Sequence, residues 1–494
     1  MQLKVKLLKW SAGIPVAMLH YKTAEKISVH PQDRINLRTI SKHPKEMSTI
    51  VDVVKGIVKE DEIAISSELE KHLSFHLGKK IDVNLAVPPK SLDFIKKKLN
   101  NQTLTKNEID TIIKDIVNNS LSDSEIALFI TAVYKYGTNI KEMIYLVDAI
   151  RKTGSQLKLK DKFVVDKHSV GGVPGNRTTP IVVPICVACG LIMPKNSSRA
   201  ITTAAGTADV IETIADVEFS MKDLKKIIKK TGGCMIWGGG LGMVPADARM
   251  MDIERSLKID PESQLIASIM SKKLAADSKY ILIDIPYGKN AKVSSKKKAI
   301  RIKKRFEILG RHFKRKIKCV ITDGSQPIGN GIGPALELID IIKILDPKEE
   351  GPLDLEKKSI FLAGNLFEMT GKAKKGLGEK MAEEILRSGK AFEKFKEIIK
   401  AQNGNLNRLK AAKFSKDIHS IKKGTIIEIN NHQINSLVRI AGCPVDKSAG
   451  IYLNVHLGDK INKRQKIITI FAESKSRLNE AIRFYEKSKP IKVR

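Results

Sequence analysis

The sequence predicts an α/β protein, with a helical domain, a larger α/β domain, and small β-rich modules at both ends. From about residue 160, short apolar runs alternate with helical stretches, which is typical of α/β folds. Residues 91–155 carry helix signals, whereas residues 1–90 and 416–494 show the shorter periodicity of strands. At 494 residues the chain is long enough for three or four domains.

We therefore expect four parts. They are an N-terminal β-rich module (1–90), a helical domain (91–155, with a returning segment about 245–275), an α/β phosphate-binding domain (156–415) and a C-terminal β-rich subdomain (416–494).

The first two parts contain the clearest local signals. The N-terminal module has candidate strands at Leu3–Leu8 and Lys80–Asn84, an ambiguous stretch at Asp61–Phe75, and a Pro-Pro linker after Val87. In the helical domain, Thr105 can cap a helix through Val117, and Ser122 with Glu125 forms a capping-box pattern. A third helix is predicted over Ile140–Lys152, ending at Gly154.

The strands and helices of the remaining two parts are predicted from apolar runs and turn residues. The predicted strands of the α/β domain are Phe163–Asp166, Tyr280–Ile285 and Ile317–Thr322, and helices are expected at Pro334–Leu345, near Glu356–Thr370 and near Glu379–Ser388. The C-terminal subdomain has predicted strands at Thr425–Ile429, Ala449–Val455 and Ile467–Phe471, with turns at Asn430-Asn431 and Gly458-Asp459.

The net charge of +34 is extreme for a chain of this length. It allows a polyanion partner, but lysines are spread along the whole chain, and only clustering marks a nucleic-acid footprint. The strongest cluster, Lys289–Lys318, is interpreted mainly as a solvated helix, with steering of anionic substrates as the alternative. Aromatic residues make up only 5% of the chain, which disfavours base stacking. Nucleic acid is therefore not an expected partner.

Cysteine content and hydropathy restrict the compartment. Five cysteines fit a reducing environment without a disulfide framework, and Cys186 and Cys189 lie in an apolar run that favours burial over metal binding. The longest apolar stretch, Pro180–Pro194, is shorter than the ~20 residues that span a bilayer, and the N-terminus lacks a signal-peptide pattern. A cytoplasmic protein without a membrane segment or metal is expected.

The most informative segment runs from Asp166 to Thr179, directly after a predicted strand. Ligands of open α/β sheets bind at the carboxyl ends of strands, and glycines allow the backbone to approach an anion. Lys167 supplies a positive charge there, and the hydroxyls of Ser169, Thr178 and Thr179 supply donors. The segment lacks the Walker order, so it predicts a different kind of phosphate cradle.

This segment resembles the signature loop of the thymidine phosphorylase family. The Pro-Gly-Asn sequence at 174–176 is most similar to the longer branch, which includes the AMP phosphorylases. Further blocks resemble the family in the expected order: Ser198–Asp209, Val244–Asp247, Ala267–Lys273 and Ala449–Leu453. The resemblance covers nearly the whole chain and is weakest before about residue 90. It implies that a helical domain faces the α/β domain across the active cleft.

The resemblance also implies residue roles. Phosphate would be bound by Lys167, Ser169, Thr179 and Thr207, with Thr178 as the rival of Thr179, and His168 would orient the sugar or base. Gly172 and the segment Ser198, Arg199, Ala200, Ile201, Thr202 and Thr203 would surround the nucleotide, with Arg199 able to pair with a second phosphate.

For a third group of residues, the resemblance implies contacts with the base. Ser268 and Lys272 would face the base, with an arginine near Arg255, and Asp260 would donate a proton beside Lys292. A raised pKa would suit that aspartate if its site is desolvated. Asp260 also precedes Pro261, so the start of a helix explains it equally well.

The sequence thus predicts a pentosyltransferase that cleaves an N-glycosidic bond with inorganic phosphate. Thymidine, or a related pyrimidine nucleoside, is the first expected substrate, and the alternative is a nucleoside 5′-monophosphate, AMP above all. Phosphate is a co-substrate and no cofactor is expected, and the resemblance implies a homodimer or a larger homo-oligomer. Two other classes of function are alternatives: transfer of phosphoribose to anthranilate, whose signature is not evident in the sequence, and nucleic-acid binding.

Overall fold

The computed structural model describes residues 1–8, 15–73, 78–200 and 203–494. Its strands are β1 (Gln2–Leu7), β2 (Val16–His20), β3 (Arg34–Thr39), β4 (Glu46–Val54), β5 (Glu62–Ile65), β6 (Lys80–Leu85), β7 (Val165–Ser169), β8 (Met193–Ser197), β9 (Gly233–Trp237), β10 (Tyr280–Tyr287), β11 (Lys316–Asp323), β12 (Gly331–Ile332), β13 (Phe414–His419), β14 (Gly424–Ile429), β15 (Gly450–Leu453), β16 (Lys460–Ile461), β17 (Lys466–Ala472) and β18 (Ile491–Val493).

Its helices are α1 (Tyr21–Lys26), α2 (Ser67–Leu73), α3 (Ser91–Leu99), α4 (Lys106–Val117), α5 (Asp123–Tyr136), α6 (Ile140–Lys152), α7 (Thr179–Ala188), α8 (Thr207–Ile211), α9 (Met221–Thr231), α10 (Pro245–Leu257), α11 (Glu262–Ala275), α12 (Lys296–His312), α13 (Pro334–Leu345), α14 (Leu353–Thr370), α15 (Gly378–Arg387), α16 (Lys390–Ala401), α17 (Asn431–Ala441) and α18 (Lys475–Ser488). Among the described residues, no helix is long and apolar enough to cross a lipid bilayer.

The contacts divide the chain into two compact units. The first comprises Met1–Thr153 and Val244–Ser268, and the second comprises Gly154–Met243 and Ile269–Arg494. The four-part division expected from the sequence is finer than this and stays a prediction.

The first unit begins with a six-stranded closed barrel in the order β1-β5-β2-β4-β3-β6. Alternate side chains fill it, because successive strand residues point to opposite faces: Leu3 and Val5 of β1 are buried, and so are Ile35 and Leu37 of β3. The ambiguous stretch after residue 61 resolves into strand β5 followed by helix α2.

The helices of the first unit follow the sequence signals. Thr105, Ser122 and Asn139 each cap a helix through a capping box with the glutamate three residues later. The returning helix α10 packs against α4 and α5. Apolar stripes such as Ile109, Ile112, Ile113 and Ile116 of α4 form the buried interface between these helices.

The second unit is built on parallel strands in the order β11-β10-β7, with β8 and β9 forming a parallel pair of their own. A parallel bridge between Val164 and Ile192 links the two groups. The register places Lys167 beside Leu282 and Ser169 beside Asp284, so polar residues collect at the carboxyl ends of β7 and β10.

The C-terminal part packs onto the same core and contains antiparallel sheets with two helices. The sequence prediction of a turn at Asn430-Asn431 was wrong, because the Asn430 side chain accepts hydrogen bonds from the backbone of His432 and Gln433 and so caps α17.

Candidate active site

The glycine loop that follows β7 is held tightly from both sides. Gly171 and Gly172 have φ angles of 94° and 88°, and a Cβ on Gly172 would lie 2.5 Å from the backbone nitrogen of Lys292. A Cβ on Gly175, which has φ 68°, would lie 2.1 Å from the carbonyl oxygen of Ile328. The backbone here requires glycine, and the loop brings two predicted nucleotide-binding positions, Gly172 and Lys292, into contact.

Lys167 is buried at the end of β7, and its exposed fraction is only 1%. Its Nζ donates a hydrogen bond to Oγ1 of Thr178, so of the two rival threonines Thr178 contacts this lysine. Burial lowers the pKa of Lys167 to about 7, against the attraction of Asp284. A buried amine with this pKa is a site at which an anion would be strongly stabilised.

Among the charges around Lys167, the carboxylate of Asp284 attracts its amine most strongly. Its Oδ1 accepts from Oγ1 of Thr322 at 2.6 Å, and its Oδ2 lies 3.2 Å from Nζ of Lys358. Burial alone would raise the pKa of Asp284, but the charges of Lys358 and Lys167 outweigh it and keep the pKa below its usual value. Asp284 therefore stays ionised and is shared between two lysines.

Asp166, which directly precedes Lys167 in the chain, forms a second buried ionic group. Its carboxylate lies 3.1 Å from Nζ of Lys195 and 2.8 Å from Nζ of Lys273. Burial would raise the pKa of Asp166, but these two charges outweigh it and lower the pKa. Lys195 also donates to the carbonyl oxygen of Lys167 at 2.6 Å, so this group fixes the backbone that presents Lys167.

His168 and Ser169 follow at the partly buried end of the strand. Burial and then the charges of Lys273 and Lys195 lower the pKa of His168 well below its usual value, so its ring is neutral at neutral pH. A neutral ring can both donate and accept a hydrogen bond. The Ser169 hydroxyl accepts a hydrogen bond from Nδ2 of Asn176 at 3.1 Å.

Arg177 connects the glycine loop to Thr207, the first residue of α8. Its guanidinium donates to Oγ1 of Thr207 at 3.3 Å, to the carbonyl oxygen of Ala205 at 2.7 Å, and to the buried carboxylate of Glu337. Thr207 was a predicted phosphate ligand, and Arg177 ties it to the glycine loop that follows β7.

The segment after β8 contains the predicted nucleotide-binding residues 198–203, of which Ile201 and Thr202 lie outside the described residues. Arg199 makes two hydrogen bonds to Glu212 and one to Glu218, and its guanidinium carbon lies 4.8 Å from the ring centroid of Trp237. The Arg199 charge is thus matched by acidic side chains, and its pairing with a second phosphate stays a prediction.

The other predicted residues of this segment are held by the backbone around α8. The Ala200 amide donates to Oδ2 of Asp209 at 2.7 Å, and the Thr203 hydroxyl donates to the carbonyl oxygen of Ala205 at 2.7 Å. The carbonyl oxygen of Ser198 lies 2.4 Å from the position that a Cβ on Gly206 would occupy. These contacts pack residues 198–200 and 203 against the start of α8.

The predicted base-handling residues are divided between the two units. Arg255 and Asp260 are exposed in the first unit, where Arg255 lies 3.5 Å from Asp252. Ser268 is buried there, with its Oγ 3.9 Å from Sδ of Met251. Lys272 lies in the second unit, where its charge contributes to the low pKa of His168. The roles of these four residues stay predictions.

Several residues of this site were missed by the sequence analysis: Arg177, Lys195, Lys273, Asp284 and Lys358. One of them had a usable signal, because Asp284 is a charged residue inside the apolar strand β10, where an unpaired charge is costly. Lys273 and Lys358 lie on helices and carried no comparable signal.

Comparisons with known proteins identify domains that are similar to parts of this chain. Residues 92–154 match a family model described as the helical bundle domain of a glycosyl transferase family, residues 161–392 match the a/b domain of that family, and residues 425–492 match the C-terminal domain of pyrimidine nucleoside phosphorylase.

Full-length relatives are similar along the whole chain. A protein named AMP phosphorylase from Methanococcus aeolicus is 39% identical over 494 residues, covering 99% of this chain and 97% of the relative. One from Pyrococcus horikoshii, also named AMP phosphorylase, is 43% identical over 498 residues, covering 100% of this chain and 98% of the relative.

One solved structure is similar in fold. The anthranilate phosphoribosyltransferase from Thermus thermophilus matches with a TM-score of 0.53 at 17% identity, over 63% of this chain and 100% of that protein. At this identity the likeness concerns the fold alone.

Proposed function

The chain belongs to the thymidine phosphorylase and AMP phosphorylase family and is a pentosyltransferase, and we propose that it acts as an AMP phosphorylase. In the proposed reaction, inorganic phosphate and a nucleoside 5′-monophosphate give the free base and ribose 1,5-bisphosphate. From the sequence, thymidine is the first expected substrate and AMP the second. The relatives from Methanococcus aeolicus and Pyrococcus horikoshii support AMP, because both carry the name AMP phosphorylase over nearly their whole length.

One observation carries the phosphate part of the proposal: the excess of positive charge buried around β7. Four lysines, Lys167, Lys195, Lys273 and Lys358, face only two carboxylates, Asp166 and Asp284. This leaves an excess of two positive charges when all six groups are ionised. A phosphate dianion supplies the missing negative charge, and the nearby hydroxyls supply hydrogen-bond donors for its oxygens.

The chemistry follows from that position. A phosphate oxygen forms a bond to C1′ of the sugar as the bond from C1′ to the base nitrogen breaks, and the base leaves with the electron pair and takes up a proton. Lys167, Ser169, Thr178 or Thr179, and Thr207 are proposed to hold the phosphate. These groups are fixed before phosphate arrives, so little reorganisation opposes the reaction.

The other roles are proposed for residues around that centre. His168 is neutral and would orient the sugar or base by hydrogen bonding rather than by charge. Lys292 lies against Gly172 and would contact the nucleotide from the loop side. Asp260 is proposed to protonate the base. Since Asp260 is exposed in its own unit, this role requires that the bound base shield its carboxyl from water.

A substrate panel tests the proposal directly. Purified protein is incubated with phosphate and each of AMP, CMP, adenosine, uridine and thymidine, and the free base is measured by chromatography. We expect base release from AMP, with ribose 1,5-bisphosphate visible in the phosphorus NMR spectrum. Adenosine is the matched control for the 5′-phosphate, and the Lys167→Met variant is the control for contaminating activity.

The outcomes separate the candidate substrates. Turnover of thymidine without AMP would restore the first sequence prediction, and equal turnover of AMP and adenosine would remove the site for the 5′-phosphate. The homo-oligomer expected from the resemblance is a separate proposal, tested by light scattering of the same preparation.

A further inference from the structure

The helix α12 carries a row of positive charge along one side. Its residues Ala299, Ile302, Phe306 and Leu309 are buried against the unit. On the solvent side it exposes Lys297, Arg301, Lys304 and Arg311. Residues three, four and seven positions apart share one face of a helix, so these four lie along one face, which we call the basic ridge. The helix has 17 residues and is therefore about 25 Å long.

The basic ridge leads into a groove at the end of α12. A cavity of about 480 Å³ lies between this helix end and the first residues of β11, which is an edge strand of its sheet. Its lining residues are Glu307, Arg311, Arg315, Lys316, Ile317, Lys318 and Met369. Because Arg311 belongs to both features, the ridge and the groove form one positively charged surface.

The sequence around this surface is strongly basic. Residues 289–318 contain fourteen lysines and arginines and one acidic residue, Glu307, so thirty residues carry 13 of the 34 net charges of the chain. Glu307 lies 3.9 Å from Lys303, and two acids from elsewhere in the unit, Asp277 and Glu368, approach Arg315 and Lys318 at 3.3 and 3.9 Å. Partly exposed pairs of this kind contribute little, about 0–1 kcal/mol each.

The linear arrangement of the positive charges favours a long polyanion over a small anion. A small anion is held by donors that converge on one point, whereas the basic ridge spreads its charges along a line. A duplex nucleic acid carries one negative charge per ~1.7 Å of its axis and matches such a line. We propose that the basic ridge and its groove bind duplex nucleic acid through the phosphate backbone. The low aromatic content of the chain is compatible with this mode, which needs no base stacking.

This proposal concerns a surface outside the candidate active site and does not depend on the proposed function. From the sequence, Lys289–Lys318 is interpreted mainly as a solvated helix, since clustering along the chain does not reveal which charges share a face. The structure adds their alignment on one side of α12 and their continuity with the groove.

A charge-matched pair of variants tests it. The ridge variant replaces Lys297, Lys304, Arg311 and Lys316 by Gln, and the control variant replaces Lys222, Lys225, Lys229 and Lys230 by Gln. The control lysines are exposed on α9, which packs on β9, whereas α12 packs on β11. Both variants lose the same four positive charges, so a general effect of net charge changes them equally.

Binding is measured by fluorescence anisotropy with a labelled 20-base-pair duplex DNA between 50 and 200 mM salt. For about four neutralised phosphates the slope of log K against log salt is about −3.6, which weakens wild-type binding about 150-fold over this range. We expect the ridge variant to bind at least tenfold more weakly with a shallower slope, and the control variant to stay within about threefold of wild type.

Equal loss in both variants, or no wild-type binding at 50 mM salt, would overturn the proposal. Thermal melting verifies that both variants are folded, and none of the eight substituted residues lies in the candidate active site. If the ridge variant is unfolded, a variant in which only Arg311 and Lys316 are replaced by Gln is measured instead. Weaker duplex binding than wild type supports the proposal, and unchanged binding overturns it.

Discussion

Replacing Lys167 by Met should stabilise the ligand-free protein while it abolishes phosphorolysis. Burial lowers the pKa of this amine from 10.5 to about 7, and such a shift corresponds to about 5 kcal/mol of free energy against the charged form. Methionine removes that cost but also removes the hydrogen bond to Thr178 and leaves its hydroxyl unpaired, which costs about 1–3 kcal/mol. The free energy of unfolding should therefore rise by about 2–4 kcal/mol at pH 7.

The pH dependence of this gain has a defined sign. The pKa of Lys167 is lower in the folded than in the unfolded protein, so between about pH 7 and 10.5 the unfolded chain binds more protons. The contribution of Lys167 to wild-type stability rises with pH through this window. The advantage of Lys167→Met is consequently largest below pH 7, decreases as the pH rises, and is lost before pH 10.5.

Urea denaturation at pH 7 and pH 10 measures both effects, and Lys98→Met is the matched control. Lys98 is also buried, but its Nζ lies 2.9 Å from the buried carboxylate of Glu142. Removing it leaves that carboxylate unpaired and should cost about 3–5 kcal/mol. The reasoning about Lys167 is refuted if its variant is destabilised as the control is, or if phosphate stabilises the variant as much as the wild type.

Three further predictions concern the loop and the strand that precede α7. Gly172→Ala should reduce kcat/KM at least tenfold because its Cβ would collide with the backbone of Lys292. Gly137→Ala, at a positive φ in open space, should cost about 1–3 kcal/mol of stability and no activity. Asp166→Asn should lower the free energy of unfolding by about 3–5 kcal/mol in denaturation experiments, because two buried lysines lose their shared carboxylate. Since the pKa of His168 lies well below 6.5, pH–rate profiles of wild type and His168→Asn should run parallel between pH 6 and 8, and an inflection near 6.5 in the wild type alone would contradict this.

Local signals allowed the helices and the glycine loop after β7 to be predicted from the sequence. The capping residues Thr105 and Ser122 determine where α4 and α5 begin, because their partners lie three residues away in the same segment. The loop after β7 was recognisable because its lysine, hydroxyls and glycines are contiguous. Each of these features depends on residues that are close in sequence.

Long-range pairing explains what the sequence did not reveal. Lys195 and Lys273 meet Asp166 across large separations in sequence, and only the parallel arrangement of β7 and β8 and the packing of α11 bring them together. The closure of the N-terminal barrel depends equally on pairing between distant strands, such as β1 with β5 and β6. Propensity and periodicity contain no information about such partners.

The buried excess of positive charge leads to a last prediction, that phosphate binding is coupled to proton uptake. Burial lowers the pKa values of both Lys167 and Lys273 to about 7, so at pH 8 a large part of this charge is absent from the free protein. A bound phosphate dianion favours the charged amines and raises both pKa values. Calorimetry at pH 8 in buffers of different ionisation enthalpy should therefore detect the uptake of about one proton or more for each phosphate that binds.

The same coupling determines how affinity depends on pH. Above pH 7 each unit of pH should weaken phosphate binding by up to about tenfold for every proton taken up, because the protein must first acquire that proton. Lys167→Met provides the control, since it removes the amine that contacts the loop and leaves only Lys273 to titrate. A binding enthalpy that is identical in all buffers would show that the lysines are already charged, and the charge excess around β7 would then have to be balanced within the protein itself.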